Sequence, residues 1–216
     1  MTAPTCRSIS PRRSQAKRRG DSEQGLLKAA IAVMGDKGVG ALTFDEVGRA
    51  GGFSRGLASQ RFGSKRGLIE AVLAHLYQRQ EAKLAKMGID HLPGLDAMLA
   101  YVDFCLRDLS LKGEAQAYLR LLSSAVADAS ELRSPFAAQH ALVERRLEAW
   151  VRKGQDEGAI RPEIAPEAAA MMIGCLVFGL SMQWLVDPET DVDAIRETSL
   201  ATLRLSFGVD DRRPGA

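Results

Sequence analysis

Three small hydroxyl residues punctuate one stretch of this chain, and each stands where a helix can begin. Thr43 precedes Phe44, Ser54 precedes Arg55 and Ser64 precedes Lys65. A side-chain oxygen at such a place accepts from a backbone N–H that the first helical turn leaves unpaired. Thr43 also has Glu46 three residues on, the pattern of a capping box. Gly51-Gly52 then interrupts, because adjacent glycines permit a tight turn that a side chain would obstruct. The stretch therefore predicts two helices of only about two turns each, one starting at Thr43 and one running from Ser54 to about Phe62. Longer helices flank them. Ahead, Leu27, Ile31 and Met34 recur at helical spacing behind an Asp21–Gln24 capping box and stop at Gly38. Behind, Ile69, Val72, Leu73, Leu76, Tyr77, Leu84 and Met87 share one stripe of a helix over 65–87, roughly 34 Å long.

The rest of the chain continues in the same period. Pro93 suits a first turn and is followed by Leu95, Met98, Leu99, Val102, Leu106 and Leu109. Residues 114–127 carry Tyr118, Leu119, Leu122 and Val126. Pro135 opens a helix with Leu142, Val143, Leu147, Trp150 and Val151 that ends near Gly158. Pro166 opens another that stays uncharged to Val186, and residues 191–207, beginning at Asp191, carry Ile195, Leu203 and Phe207. No alternating β-branched run and no hairpin dipeptide interrupts the series, and there is no internal repeat. The expected fold class is all-α. Residues 1–20 read as a flexible basic arm, 21–66 as an N-terminal three-helix unit, 67–208 as a helical body and 209–216 as a tail.

Composition narrows the function classes. Charge is divided: 13 Lys and Arg face 5 Asp and Glu up to Arg66, and 16 face 22 beyond it. A basic head on an acidic body suits a polyanion-binding module joined to a part that does not touch the polyanion, although a basic tail alone inflates the contrast. Cys6, Cys105 and Cys175 are odd in number and lack a CxxC pair, which fits a reducing compartment rather than a disulfide scaffold or zinc site. His75, His91 and His140 are scattered, so no metal site and no cofactor is expected. No GxGxxG, P-loop or HExxH pattern occurs, which argues against an enzyme. The first 20 residues hold Arg and Ser without an apolar segment, unlike a secretory signal. Residues 168–186 are free of formal charge and long enough to cross a membrane. A buried or dimer-forming helix has the same composition, and the acidic flanks Glu163, Glu167, Asp187 and Glu189 favour it over a membrane segment.

Two short helices joined by a glycine turn and supported by a third make a helix-turn-helix. Phe53, Ala58 and Phe62 can point inward, leaving Arg55, Gly56, Ser59, Gln60 and Arg61 outside, with no acidic residue between Phe53 and Arg66. A cationic, amide-bearing face can meet phosphates and base edges alike. Residues 26–73, LLKAAIAVMGDKGVGALTFDEVGRAGGFSRGLASQRFGSKRGLIEAVL, resemble the DNA-binding domain of tetracycline-repressor-type (TetR family) regulators. The likeness rests on the KG that ends the first helix, the Thr-capped second helix, AGGFSRG at the turn and FGSKRGLIEAVL entering the fourth helix.

The resemblance implies residue roles. Thr43 and Ser54 would bond phosphates at helix N-termini, Lys65 would add a phosphate contact, and Arg55 with Ser59, Gln60 and Arg61 would face the groove. Many members carry Tyr where this chain has Ser59, which shifts weight towards Arg55 and Arg61. Leu57 and Ala58 also depart from the commoner Thr-Leu pairing. Helix capping alone accounts for Thr43, Ser54 and Ser64, and solvation alone for Lys65 and Arg66. Arg12, Arg13, Lys17, Arg18 and Arg19 of the arm can reach a minor groove or form an inert tail. By the same resemblance the partners would be a double-stranded DNA operator of inverted-repeat form, a second copy of the chain and an unknown small-molecule effector that releases a repressor. The expected place is the bacterial cytoplasm, on the nucleoid, with no membrane. The homodimer would form through Pro166–Val186 and residues 191–207, where Gly174 and Gly179 allow close approach. Met171, Leu176, Phe178, Met182, Trp184 and Leu185 supply its apolar surface. Met98, Tyr101, Phe104, Cys105, Tyr118, Leu122 and Trp150 would line the effector pocket, unless they are simply core.

Overall fold

The computed structural model describes residues 15–110, 113–128 and 132–209. Among these the fold is all-α: α1 (Gln15–Lys37), α2 (Phe44–Gly51), α3 (Arg55–Phe62), α4 (Lys65–Met87), α5 (Gly94–Ser110), α6 (Glu114–Ala127), α7 (Arg133–Asp156), α8 (Pro166–Val186) and α9 (Val192–Phe207). Two single 3-10 turns, Val39–Ala41 and Ile89–His91, precede α2 and α5. One isolated bridge, Ile160 with Gly208, ties the start of the α7–α8 connection to the end of α9.

Capping accounts for the short elements. Thr43, Ser54 and Ser64 each accept from the backbone N–H three residues on, at 3.2, 3.1 and 3.0 Å, and Asp191 caps α9 in the same way at 3.1 Å. Gly52 closes α2 in the left-handed region at φ 72°. The turn then folds back so tightly that the Phe53 N–H donates to the Gly48 carbonyl at 2.8 Å. A Cβ on Gly48 would stand 2.8 Å from the Phe53 carbonyl oxygen, so the turn needs this glycine inside α2 as well as the pair that ends it.

The start of α1 departs from expectation. It begins at Gln15, and Asp21 lies within it instead of capping it. Gln, Ala, Lys and Arg are all good helix formers, and one Gly in their midst costs only about 1 kcal/mol. The last six residues of the predicted arm, 15–20, are therefore helical. Cys6, Arg12 and Arg13 lie outside the described residues.

Two cores are stacked along α4. The first gathers Leu26, Met34, Leu42, Val47, Ala58, Leu68 and Val72 from α1 to α4, and it continues into Ala117, Leu121 and Ala125 of α6 and Phe136 of α7. The second joins Met98, Val102 and Leu106 of α5 to Leu147 and Trp150 of α7, Ile173 of α8 and Phe207 of α9. α4 enters the first through Leu68 to Leu76 and the second through Leu84. α5 crosses α7 at bare backbone, because a Cβ on Gly94 would collide with the Gly154 nitrogen and the Trp150 carbonyl.

Candidate nucleic-acid interface and ligand cavity

α2 and α3 meet at the Gly48 turn, and the Phe53 ring beds against Gly25 of α1 and Gly51 of α2. That seating orients α3. Ala58 is fully buried, and Leu57 and Phe62 pack against the first core. The opposite face carries Arg55, Gly56 and Gln60, all exposed, with Ser59 half-buried beside them. Thr43, Ser54 and Lys65 are exposed as well. Each cap occupies an oxygen lone pair and leaves the hydroxyl proton available to an incoming acceptor. The Lys65 ammonium reaches back to the Gly40 carbonyl at 3.5 Å. Arg55 is 3.5 Å from Asp45, but their side chains are 72% and 66% exposed, so water screens the pair and a phosphate can displace it.

Arg61 does not join that face. It follows Ala58 by three positions and so falls on the inner side of α3, where its side chain keeps 12% exposure. Its guanidinium lies 3.6 Å from Glu23 of α1 and donates to the Arg19 carbonyl at 3.4 Å. The expectation that Arg61 faces the groove is corrected: it ties α3 to α1. Lys17 and Arg19, at the start of α1, are exposed near this tie.

Behind α2, Glu46 binds Lys37 of α1 at 2.6 Å and Arg49 at 2.6 Å. Bonds from these two cations, Arg49 first, hold the Glu46 carboxyl down at about 2. The network anchors α2 to the end of α1.

In the body, a cavity of about 510 Å³ opens between α4, α5, α6, α7 and α8. Of the seven residues expected to line it, Tyr101, Phe104, Cys105, Tyr118 and Leu122 do so. Met98 and Trp150 do not: they are 0% and 4% exposed and belong to the second core, where Trp150 packs on Tyr101 at 5.8 Å between ring centroids. Helical periodicity marks both as inward but says nothing of which inward side faces a void. Sequence reasoning missed Gln80 and Lys83 on α4, Phe136 and His140 on α7, and Cys175 on α8. A polar pair on a mainly apolar helix face is the signal that could have found Gln80 and Lys83.

The wall is mostly apolar, and its polar groups are largely paired. Lys83 binds Glu114 at 3.2 Å and sits 5.9 Å above the Phe104 ring, while Glu114 also binds Arg79. The Tyr118 hydroxyl lies 3.0 Å from His140 Nε2. Desolvation lowers the His140 pKa below its ordinary value and raises that of Tyr118 to about 12.

On α8 the exposed side presents Met171, Met172 and Phe178, 42–54% exposed, and α9 adds Leu205 at 72%. Gly174 and Gly179 have nothing within 4 Å of a would-be Cβ. Trp184, expected on this surface, is instead buried in the second core. By length and composition α8 can cross a membrane.

Residues 26–72 match the family described as bacterial regulatory proteins, tetR family, and residues 95–207 match the BetI-type transcriptional repressor C-terminal family. The HTH-type transcriptional regulator CymR of Pseudomonas putida is 36% identical over 80 residues, 35% of this chain and 39% of CymR. The matched part thus spans about two-fifths of that relative. A TetR transcriptional regulator from Chloroflexus aurantiacus superposes with a TM-score of 0.78 at 18% identity, over 89% of this chain and 100% of that one. SmeT, repressor of the Stenotrophomonas maltophilia multidrug efflux pump SmeDEF, superposes at 0.69 with 22% identity, over 90% and 94%. At these identities both comparisons establish a shared fold.

Proposed function

The chain belongs to the TetR family of bacterial transcriptional regulators, and we propose that it is a homodimeric repressor released from an inverted-repeat operator by a small molecule in the α4–α8 cavity. The observation that carries this reading is the double use of α6. Tyr118, Leu119, Leu122 and Val126 line the cavity, while Ala117, Leu121 and Ala125 pack into the core of α1 to α4. A ligand that fits one setting of α6 better than another biases the DNA-binding half by that difference in affinity.

On DNA, α3 would enter the major groove with Arg55, Gly56, Ser59 and Gln60 towards the bases, while Thr43, Ser54 and Lys65 hold phosphates. Residues 21–66 form the DNA-binding unit in this scheme, extended by the helical 15–20, and 67–208 the regulatory unit. Reading an inverted repeat needs two recognition helices about one turn of DNA apart. The apolar faces of α8 and α9 supply the contact: α8 carries no charge from Ala168 to Val186, and a patch of this kind is rare on a monomer. The proposed location is the cytoplasm, on the nucleoid.

Electrophoretic mobility shift with fragments flanking the chain's own gene tests the reading. A shift that weakens steeply between low and moderate salt is expected, and absence of any shift at 50 mM salt, on the order of the lowest used for such complexes, overturns it. The length of α8 favours a second reading, a membrane-bound chain. Recovery in the membrane pellet rather than the soluble fraction would support that instead.

A further inference from the structure

The cavity wall carries a specific chemical preference, and this inference rests on the effector reading above. Aromatic rings of Tyr101, Phe104, Tyr118 and Phe136 border a space of about 510 Å³, room for one or two fused rings with substituents. Aromatic walls favour flat apolar guests through edge and offset contacts. Fully charged guests fare worse. The Lys83 ammonium is already held by Glu114 at 3.2 Å, so a carboxylate must compete with a bound partner. A cation would meet Lys83 over the Phe104 ring, although Glu144 beside His140 is a second carboxylate on the wall, which makes a cationic probe the stricter control. Arg133 stands exposed on the lining, in water, where an ion pair contributes little.

Gln80, Gln139 and Ser181 also stand on the wall, Ser181 already bonded to the Val177 carbonyl. The neutral polar group set among the aromatic rings is the Tyr118–His140 pair at 3.0 Å. A phenol is the better proton donor of the two and an imidazole nitrogen the better acceptor, so the Tyr118 O–H points to His140 Nε2. That leaves no proton to offer, and with the buried Tyr77 hydroxyl beside it able to take one lone pair of the phenol oxygen, one lone pair remains for a guest. The site is then satisfied by a guest that donates and is poorly served by one that only accepts. Desolvation of the Tyr118 hydroxyl agrees with this arrangement, since it keeps Tyr118 protonated, while His140 is exposed on its outer side. We propose that the cavity takes an uncharged aromatic molecule bearing a hydroxyl, a phenol-type ligand whose O–H donates to the Tyr118 oxygen while Tyr118 donates to His140.

Titration calorimetry of the full chain with four probes tests this: 1-naphthol, 1-methoxynaphthalene, 1-naphthoate and benzyltrimethylammonium. The naphthol should bind about fivefold tighter than its methyl ether, the ratio that one net hydrogen bond of about 1 kcal/mol produces. Tyr118→Phe keeps the ring against Tyr77 and Phe136 and should bring the ratio close to one. His140→Ala frees the Tyr118 proton for an ether oxygen and should narrow the ratio from the other side. Equal affinity for the two neutral probes, tighter binding of either ion, a preference that survives Tyr118→Phe, or no measurable binding of any probe overturns the proposal. A mobility shift on the same preparation separates the two readings. DNA binding without probe discrimination sinks the ligand class alone, and probe discrimination without DNA binding sinks the regulator reading while sustaining the ligand class.

Discussion

The Arg61 guanidinium lies 3.6 Å from the Glu23 carboxylate, with 12% of its side chain exposed, so α3 is fastened to α1 through the side that faces away from Arg55 and Gln60. The Arg61 Nε has no partner of its own, and the side chain gains most from its Glu23 and Arg19 contacts. Arg61→Ala should cost about 1 kcal/mol, which lowers the melting midpoint by about 2–4 °C for a chain of this size. Differential scanning fluorimetry reads this directly. An unchanged midpoint together with lost DNA binding would return Arg61 to the outer face.

Gln60 and Arg55 behave oppositely. Both are exposed, so replacing either by Ala should leave the melting midpoint unchanged, within about 0.5 kcal/mol of stability. In fluorescence anisotropy, Gln60→Ala should weaken operator binding by about 1–3 kcal/mol if it reads a base edge. Arg55→Ala should weaken it by a similar amount, and Lys65→Ala, placed on a phosphate, should lower the salt slope by about one.

Glu46 sets an acid limit on the α1–α2 junction. Its folded pKa of about 2 lies below the ordinary carboxyl value, so the folded state binds fewer protons than the unfolded one in between. Its contribution is fully present above about pH 4.5 and is lost as the pH falls towards 2. Melting midpoints of the wild type and Glu46→Gln should therefore converge as the pH is lowered through that window. A gap that stays constant with pH would show that the carboxylate charge contributes nothing.

Leu205 is 72% exposed on α9, so Leu205→Glu should spare the fold while placing charge in the proposed dimer contact. Sedimentation of the wild type should give twice 23.4 kDa, and the variant should shift towards the single-chain mass. A variant that remains dimeric would move the contact to another face.

Gly94 admits no side chain. Gly94→Ala must push α5 away from the α7 backbone at Gly154 and Trp150, at a cost of about 2–3 kcal/mol. Urea unfolding should show a lower midpoint at unchanged slope; an unaltered midpoint would mean that the crossing relaxes freely.

Local chemistry made the DNA-binding half readable from sequence. Thr43, Ser54 and Ser64 announce helix starts because an unpaired N–H requires an acceptor, and the ends at Gly51, Phe62 and Met87 follow from the glycines beyond them. What stayed hidden depends on neighbours distant in sequence. Arg61 carries a charge, which suggests the outside, yet its position relative to Ala58 turns it inward, and Glu23 with the Arg19 carbonyl makes that turn tolerable. Met98 and Trp150 have the same helical phase as true cavity residues, and packing by α8 and α9 decides that they are core. Gly48 sits inside a helix with nothing in its own turn to explain it until Phe53 folds back over it. His140 gained meaning only when Tyr118 was brought to it from another helix.

The double use of α6 has a consequence for redesign. Ala117, Leu121 and Ala125 pack with α1 to α4, and Tyr118 and Leu122 touch that same core while bordering the cavity. A recut cavity wall that is meant to leave the other half undisturbed must therefore spare the first three, and every change at Tyr118 or Leu122 is felt on both sides of the helix.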